Sequence, residues 1–588
     1  MKLKYIIVVL LTGILFVTLS HYDFLKEENQ MNNHMHTYAT PMAEGIIREG
    51  EIKLEGLEFN TKFWAKDPTL WKQDKDHMEF IPKFLGWQKV YDWTLEHLDE
   101  IQSFANDVKQ NFKHCVIMGM GGSSLAPEVF RSVFGKQEGW PELIVLDTTN
   151  PDWIAAARAR INPAETLFIF ASKSGGTVEP SSQFAYFFDE VKKAGVKEPG
   201  QNFAAITDPG TGLETLAKKH NFRKIFLNPA DIGGRFSALS MFGIVPAAVM
   251  GVDVKKILTI AKEQAATFAP EAPVKDNAAV KLGAFMGACN VNHGKDKLTL
   301  LTPKDLATFG LWAEQLVAES TGKEGKGIVP VAGETLKDNF DYREDRFFVH
   351  LATGSEDDKR VTAIAKDLAS REYPVMTLVM DDVYQLGAMF LLWEIATAAA
   401  GAILGIDPFD QPNVQEAKTR TKNVLAELEK GNVPAEVSAP ILVSADIAGE
   451  VKLETLAQDV YSLLESNDYV ALLPYVYPSE EVENALLALR DKIMARTKRA
   501  VLFGYGPRYL HSTGQLHKGD GNNGVFLILS ADPATDIQIP SQHYTFGQLC
   551  NAQALGDFQA LQAKGRRVIK IHLTQPLLES INKISGLF

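Results

Sequence analysis

The chain has 588 residues, which is too long for one hydrophobic core and predicts two or three domains. Its net charge of −13, with 46% hydrophobic and 23% charged residues, is typical of a globular protein and argues against nucleic acid or an anionic membrane as partner. The three cysteines are widely spaced, without metal-ligand spacing, and favour a reducing compartment.

The N-terminus has the pattern of a signal peptide. Two lysines precede an apolar run at residues 5–17, and small residues follow it. The run is shorter than the ~20 residues of a membrane span. We favour a mis-assigned start, with Met31 or Met35 as the initiator of a cytoplasmic enzyme, and expect residues 1–40 to lie outside the fold.

From residue 114 onward, short apolar runs alternate with helix-length segments, the pattern of doubly wound parallel sheets. The runs lie at 115–118, 143–146, 167–170, 203–206, 224–227, 298–301, 347–349, 375–379, 469–473, 500–503, 525–529 and 568–571. We expect an α/β fold of three-layer α/β/α units at 41–265, 266–440 and 441–588. The apolar segment 383–404 could span a membrane, but Gln385 and Glu394 favour a buried core helix.

Two loops rich in glycine and hydroxyl groups follow predicted strands, and such loops bind phosphate through backbone amides and a helix start. Their candidate donors are Gly122 and Ser123 in the first loop, and Ser172, Lys173, Ser174 and Thr177 in the second. The first loop also resembles a dinucleotide fingerprint, with Asp147 placed to bind a ribose, although Ser124 replaces the third glycine. Plain turns have the same composition.

Several polar residues in later motifs are candidates for chemistry. Glu319 lies in an apolar helical stretch, where burial raises a carboxylate's pKa toward that of a base. Arg235 follows a glycine pair, and Gln411 precedes a helix that carries Lys418. Taken singly, each is more often a solvated surface residue.

The loop 506–519 contains two histidines, which suit a proton carrier at neutral pH. We prefer His511 to His517, because Lys518 beside His517 indicates an outward, solvated position. The sequence contains no histidine or carboxylate pattern typical of a metal site, so we expect none.

Taken in order, these motifs resemble the glucose-6-phosphate isomerase (phosphoglucose isomerase) family, over roughly residues 60–588. The chain is most similar to the isomerase portion of bifunctional transaldolase/phosphoglucose isomerase proteins. The residues before 60 are too few for a transaldolase barrel, so we expect no such activity. The family loop Ser-Lys-Thr-Phe-Thr-Thr reads Ser-Lys-Ser-Gly-Gly-Thr here, which suggests a looser middle.

The resemblance implies sugar-isomerase (SIS) domains and a reversible aldose–ketose isomerisation of D-glucose 6-phosphate and D-fructose 6-phosphate. Glu319 would carry the proton between C2 and C1, Arg235 would stabilise the enediolate, and Lys418 with His511 would open the sugar ring. The family's histidine lies between base and lysine, where this chain has only His350, inside an apolar strand.

The phosphate loops and Gln411 would bind the substrate. We expect no cofactor, no metal, a cytoplasmic location and a homodimer. Three alternatives stay open: an isomerase that also acts on mannose 6-phosphate, a non-catalytic sugar-phosphate-binding SIS protein, and a nicotinamide dehydrogenase.

Overall fold

The computed structural model describes residues 35–430, 432, 434–444, 447 and 451–588; the signal-like run lies outside them. The described residues form three five-stranded sheets connected by helices. The strands are β1 (His36–Ala39), β2 (His114–Met118), β3 (Glu142–Leu146), β4 (Thr166–Ala171), β5 (Phe203–Thr207), β6 (Lys224–Leu227), β7 (Lys297–Leu301), β8 (Val329–Val331), β9 (Arg346–Ala352), β10 (Val375–Val379), β11 (Ile441–Val443), β12 (Tyr469–Tyr475), β13 (Val501–Phe503), β14 (Gly524–Ala531) and β15 (Arg567–Leu573).

The α-helices are Pro41–Gly56, Phe59–Trp64, Lys75–Phe80, Val90–Glu96, Leu98–Asn111, Gly122–Phe134, Pro151–Ala159, Val178–Lys193, Gly212–Lys219, Met241–Val249, Val254–Ala265, Ala278–His293, Ala307–Thr321, Glu356–Ser370, Leu386–Leu404, Val414–Glu429, Leu456–Ser462, Glu480–Thr497, Gly514–Gly519, Phe546–Ala563 and Leu577–Leu587. Short 3-10 turns lie between them, among them Gly234–Phe236 and Arg508–His511.

One topology occurs three times. The sheet orders are β3-β2-β4-β5-β6, β8-β7-β9-β10-β1 and β13-β12-β14-β15-β11, which we call the first, second and third units. In each unit four parallel strands take the spatial order second-first-third-fourth, and an edge strand is added beside the fourth. The strand order therefore reverses between the first and third strands, where α/β sheets bind ligands. The α/β class is confirmed; β1 and β11 are antiparallel exceptions.

Three short edge strands were not predicted. β1 and β11 add to their sheets through main-chain pairing, and neither has the long apolar run of a central strand. β8 contains Pro330, which is tolerated only at a sheet edge. The expectation that residues 1–40 lie outside the fold is wrong for 36–39, because β1 pairs with β10. The helix Pro41–Gly56 also packs against Ala278–His293, so it lies with the second unit; the joints near 265 and 440 stay a prediction.

The predicted core helix is confirmed. A 3-10 turn at Val383–Gln385 leads into the helix Leu386–Leu404, whose residues are all buried. This is the one stretch among the described residues that is long and apolar enough to cross a membrane, and it is enclosed by protein. Its burial on every face explains why it shows no polar stripe.

Candidate active site

The two predicted phosphate loops lie side by side in the first unit. They follow β2 and β4, which are neighbours at the point where the strand order reverses. Gly122 lies against the turn that carries Arg235: a Cβ on Gly122 would stand 1.9 Å from the carbonyl oxygen of Gly234. Only glycine permits that approach. Ser123 is buried in the first turn of the following helix.

The second loop is closed by its own hydroxyl groups. Ser172 Oγ accepts a hydrogen bond from the Gly175 amide at 3.1 Å and lies 3.1 Å from Thr177 Oγ1. Gly175 has φ +68°, and a Cβ there would lie 2.7 Å from the Leu213 amide nitrogen. Gly175 thus fits the loop closely against the helix Gly212–Lys219, so the expected loosening is wrong at this position, whereas Gly176 is exposed.

The side chain of Lys173 is already paired with other groups of the protein. Its ammonium donates to the Asp208 carboxylate, which follows the neighbouring strand β5, and to the Ala230 carbonyl oxygen at 2.8 Å. A carboxylate at the next strand end therefore neutralises this lysine. The predicted role of Lys173 as a phosphate donor gains no support from this placement.

The equivalent loops of the other two units already hold carboxylates. In the second unit, the amides of residues 353–354 donate to Asp358 Oδ2 at 3.0 and 2.9 Å. In the third unit, the amides of 534 and 535 donate to the carboxylate of Asp152 at 3.0 and 3.2 Å. Side-chain anions thus satisfy these amides internally. The loop of the first unit, closed by hydroxyl groups, is the one suited to an external anion.

Arg235 is only 2% exposed, and four hydrogen bonds fix its guanidinium group. Its Nε donates to Ser320 Oγ at 2.7 Å and its Nη1 to Gln411 Oε1 at 2.8 Å. Its Nη2 donates to the carbonyl oxygens of Pro408 at 2.6 Å and Asp410 at 3.0 Å. The guanidinium is therefore rigid, as a preorganised source of positive charge must be.

Glu319 lies beside this guanidinium, near the end of the buried helix Ala307–Thr321. Its Oε1 is 3.6 Å from Arg235 Nη1, and its Oε2 accepts a hydrogen bond from Gln315 Nε2 at 3.1 Å. Gln315 Nε2 also donates to the carbonyl oxygen of His511 at 2.8 Å. Gln315, one helical turn before the predicted base, was not assigned a role from the sequence; it links the base to the histidine loop.

A cavity of about 420 Å³ opens next to the loop that contains His511. Its lining includes Ser174 and Thr177 of the second phosphate loop, Lys418, and His511. The structure thus brings together four predicted site residues from three distant segments of the chain. It also adds Glu179, whose Oε1 lies 2.9 Å from His511 Nε2.

Glu179 is buried and also accepts a hydrogen bond from Gln553 Nε2 at 2.7 Å. Burial acts to raise the pKa of this carboxyl group, but the charge and hydrogen bond of His511, with a smaller effect of Lys418, hold it below its usual value. The ionised carboxylate orients the imidazole. The sequence signal was its position two residues after Thr177, at the start of the helix Val178–Lys193.

The other two histidine candidates lie inside the protein. His517 is 0% exposed, and burial together with nearby positive charges lowers its pKa well below the usual value. The expectation that Lys518 directs it into solvent is wrong: the side chain points inward among aromatic rings. His350 lies in β9, with Nε2 2.8 Å from Asp358 Oδ1. Of the three, His511 is the one that lines the cavity.

Comparisons with known proteins find similar sequences and a similar fold. Residues 88–335 match the family model described as phosphoglucose isomerase. A glucose-6-phosphate isomerase of Carboxydothermus hydrogenoformans is 27% identical over 449 residues, which cover 67% of this chain and 93% of that protein. One of Campylobacter jejuni is 27% identical over 384 residues, with 58% and 92% covered. The solved structure of a glucose-6-phosphate isomerase from Chlamydia trachomatis shares the fold at a TM-score of 0.56 and 18% identity, covering 65% of this chain and 86% of that one.

Proposed function

We infer that this chain is a member of the phosphoglucose isomerase family and catalyses the reversible isomerisation of D-glucose 6-phosphate and D-fructose 6-phosphate. The observation that carries the proposal is the buried pair of Glu319 and Arg235, 3.6 Å apart. A carboxylate base beside a fixed cation is what proton transfer through an enediolate requires. A protein that only binds a sugar phosphate has no use for this pair.

The phosphate would be bound by the second loop of the first unit. Ser174 and Thr177 line the cavity, and the helix Val178–Lys193 begins directly after Thr177. Hydroxyl groups and free amides at a helix start favour a dianion. Ser172 and Gly122 would shape the site, the first by closing the loop and the second by its contact with Gly234.

Ring opening would use Lys418 and His511, which line the same cavity. One group must give a proton to the ring oxygen while another removes the proton of the anomeric hydroxyl. Glu179 supports the imidazole by holding one ring nitrogen, so the other nitrogen is available for proton transfer. Glu179 would therefore act as a positioning residue.

Glu319 would then move the proton between C2 and C1 of the open sugar. Negative charge develops on the sugar oxygens as the proton leaves, and Arg235 would stabilise it. Gln411, which accepts from Arg235, would hold both the guanidinium and the substrate. We propose that these steps are metal-independent, because lysine, arginine and hydroxyl donors supply the electrophilic assistance.

The test is a coupled assay of fructose 6-phosphate conversion in the presence of EDTA, with mannose 6-phosphate as a second substrate. We expect turnover of fructose 6-phosphate to be unaffected by the chelator. Absence of turnover with intact hexose phosphate binding would favour the non-catalytic alternative. A cytoplasmic location and a homodimer stay predictions.

A further inference from the structure

Three potential metal ligands, His77, Asp407 and Asp410, converge outside the lining of the cavity. His77 lies in the short helix Lys75–Phe80, whereas Asp407 and Asp410 lie between the core helix and the helix Val414–Glu429. One ligand atom of each lies within 4.8 Å of those of the other two. His77 lies more than 300 residues before the two aspartates in the chain, so no sequence spacing indicated the cluster.

His77 is already oriented as a metal ligand. Its Nδ1 lies 2.7 Å from Asp74 Oδ1, and its Nε2 faces Asp410 Oδ2 at 3.9 Å. A histidine whose one ring nitrogen is held by a carboxylate presents the lone pair of the other. This arrangement is typical of metal-binding histidines and their outer partners.

Asp407 contributes a buried carboxylate oxygen that has no hydrogen-bond donor among the described residues. The residue is 0% exposed, and its Oδ1 accepts the amide of Phe409 at 2.8 Å. Its Oδ2 has no hydrogen-bond partner among the residues that the structure describes. Leaving a buried carboxylate oxygen unsatisfied is costly, and a bound cation would remove that cost.

The charge balance leaves room for a divalent cation. Lys323 Nζ contacts Asp410 Oδ1 at 2.5 Å and the carbonyl oxygens of Asp407 and Asp410 at 2.7 and 2.6 Å. The carboxylates of Asp74, Asp407 and Asp410 outnumber the one Lys323 ammonium, so these groups carry net negative charge when His77 is neutral. The side chains of His77 and Asp410 are 29% and 23% exposed, which gives an ion access from solvent.

We propose that His77, Asp407 and Asp410 bind a divalent transition-metal ion, with Asp74 orienting His77. One imidazole and two carboxylates suit Zn²⁺ or Mn²⁺ better than Mg²⁺. The ion is separate from the proposed isomerisation steps. It would hold the helix Lys75–Phe80 to the segment whose carbonyl oxygens hold Arg235. The expectation of no metal site, which rested on sequence spacing, is revised accordingly.

The test is calorimetric titration of the EDTA-treated, dialysed protein with ZnCl₂ and with MnCl₂. The variants are His77→Gln and the matched control His293→Gln; His293 is a half-exposed histidine whose Nε2 lies 3.0 Å from Glu49. We expect one ion per chain in the wild type and in the control, and at least tenfold weaker binding in His77→Gln. Asp74→Asn should weaken binding by about 10–100-fold.

The proposal would be overturned by the absence of saturable binding of either ion, or by equal affinity in the wild type and His77→Gln. Loss of binding in His293→Gln would instead place the ion near Glu49 and would also overturn it. Isomerase activity is measured separately in EDTA. The proposed isomerase activity can therefore be disproved while ion binding is confirmed, and ion binding can be disproved while the activity is confirmed.

Discussion

His511 of the third unit lies 2.9 Å from Glu179 of the first unit, so one chain brings its own histidine to the phosphate loop. The contact spans 332 residues of sequence. The main-chain carbonyl oxygen of His511 accepts a hydrogen bond from Gln315, whose side chain also donates to Glu319. The position of the third unit therefore determines both the proposed ring-opening group and the surroundings of the proposed base.

Glu319→Gln should lower kcat by about 10³-fold or more with little change in KM. The amide keeps the shape of the side chain but cannot accept the carbon-bound proton, so only the transition-state interaction is lost. The measurement is deuterium incorporation from D₂O at C2 of the sugar. Exchange at the wild-type rate would mean that another group is the base.

The matched control is Glu314→Gln, in the same helix. Glu314 is buried, and burial raises its pKa to about 8, so the acid is neutral at pH 7 and glutamine copies its neutral form. The amide can still accept the Ala332 amide hydrogen, as Glu314 Oε1 does at 3.0 Å. We therefore expect near-normal kcat at pH 7, which separates loss of the base from disturbance of the helix.

His511→Ala should slow the cyclic hexose phosphate by roughly 10²-fold. A hexose phosphate analogue that cannot cyclise should be much less affected, because it needs no ring opening. Steady-state rates with both substrates measure the difference. An equal loss of rate on both substrates would show that His511 does not act in ring opening.

His517→Ala is the companion variant. His517 is fully buried, so its loss should lower the free energy of unfolding by about 2–4 kcal/mol through the cavity it leaves. The folded fraction should keep its preference between the two substrates. A selective defect on the cyclic substrate here, and not in His511→Ala, would exchange the two roles.

The sequence predicted the long central strands and both phosphate loops, because buried parallel strands are continuous apolar runs that end in glycine or hydroxyl residues. It missed β1, β8 and β11, whose short segments depend on pairing with a formed sheet. It selected Glu319 and Arg235 as candidates by motif, and the structure places their side chains 3.6 Å apart. It could not place Lys173, because Asp208 comes from a different strand end, and it misjudged His517 from its neighbour alone.

Glu179→Gln should destabilise the protein by about 3 kcal/mol at pH 7, because it leaves His511 without its buried carboxylate partner. The folded pKa of Glu179 lies below the usual value of 4.5, so its stabilisation is complete above pH 4.5. The stabilisation is lost as pH falls through the lower, folded pKa. Urea unfolding of both proteins from pH 7 to 3.5 measures this. A constant difference between them would contradict the lowered pKa of the Glu179 carboxyl group.

Glu314 should give the opposite pH dependence. Its folded pKa of about 8 exceeds the ordinary 4.5, so between these values the folded state holds a proton that the unfolded state has released. Wild-type stability should therefore fall from pH 5 to pH 8, by up to roughly 4 kcal/mol from this group. Glu314→Gln should remove that decline and match the wild type at pH 5. If the free energy of unfolding changes with pH by the same amount in both proteins across this range, the raised pKa of Glu314 would be contradicted.

The specific activity should be independent of protein concentration, whatever the oligomeric state. The homodimer was predicted because sites of this family are generally completed across a two-fold interface. Here the same chain supplies His511, along with Glu179, Arg235 and Glu319. Mass photometry gives the oligomeric state at each dilution, and stopped-flow assays give the activity of the same samples. If a dimer forms and its dissociation abolishes turnover, a residue of the partner subunit must enter the site, and completion within one chain would be wrong.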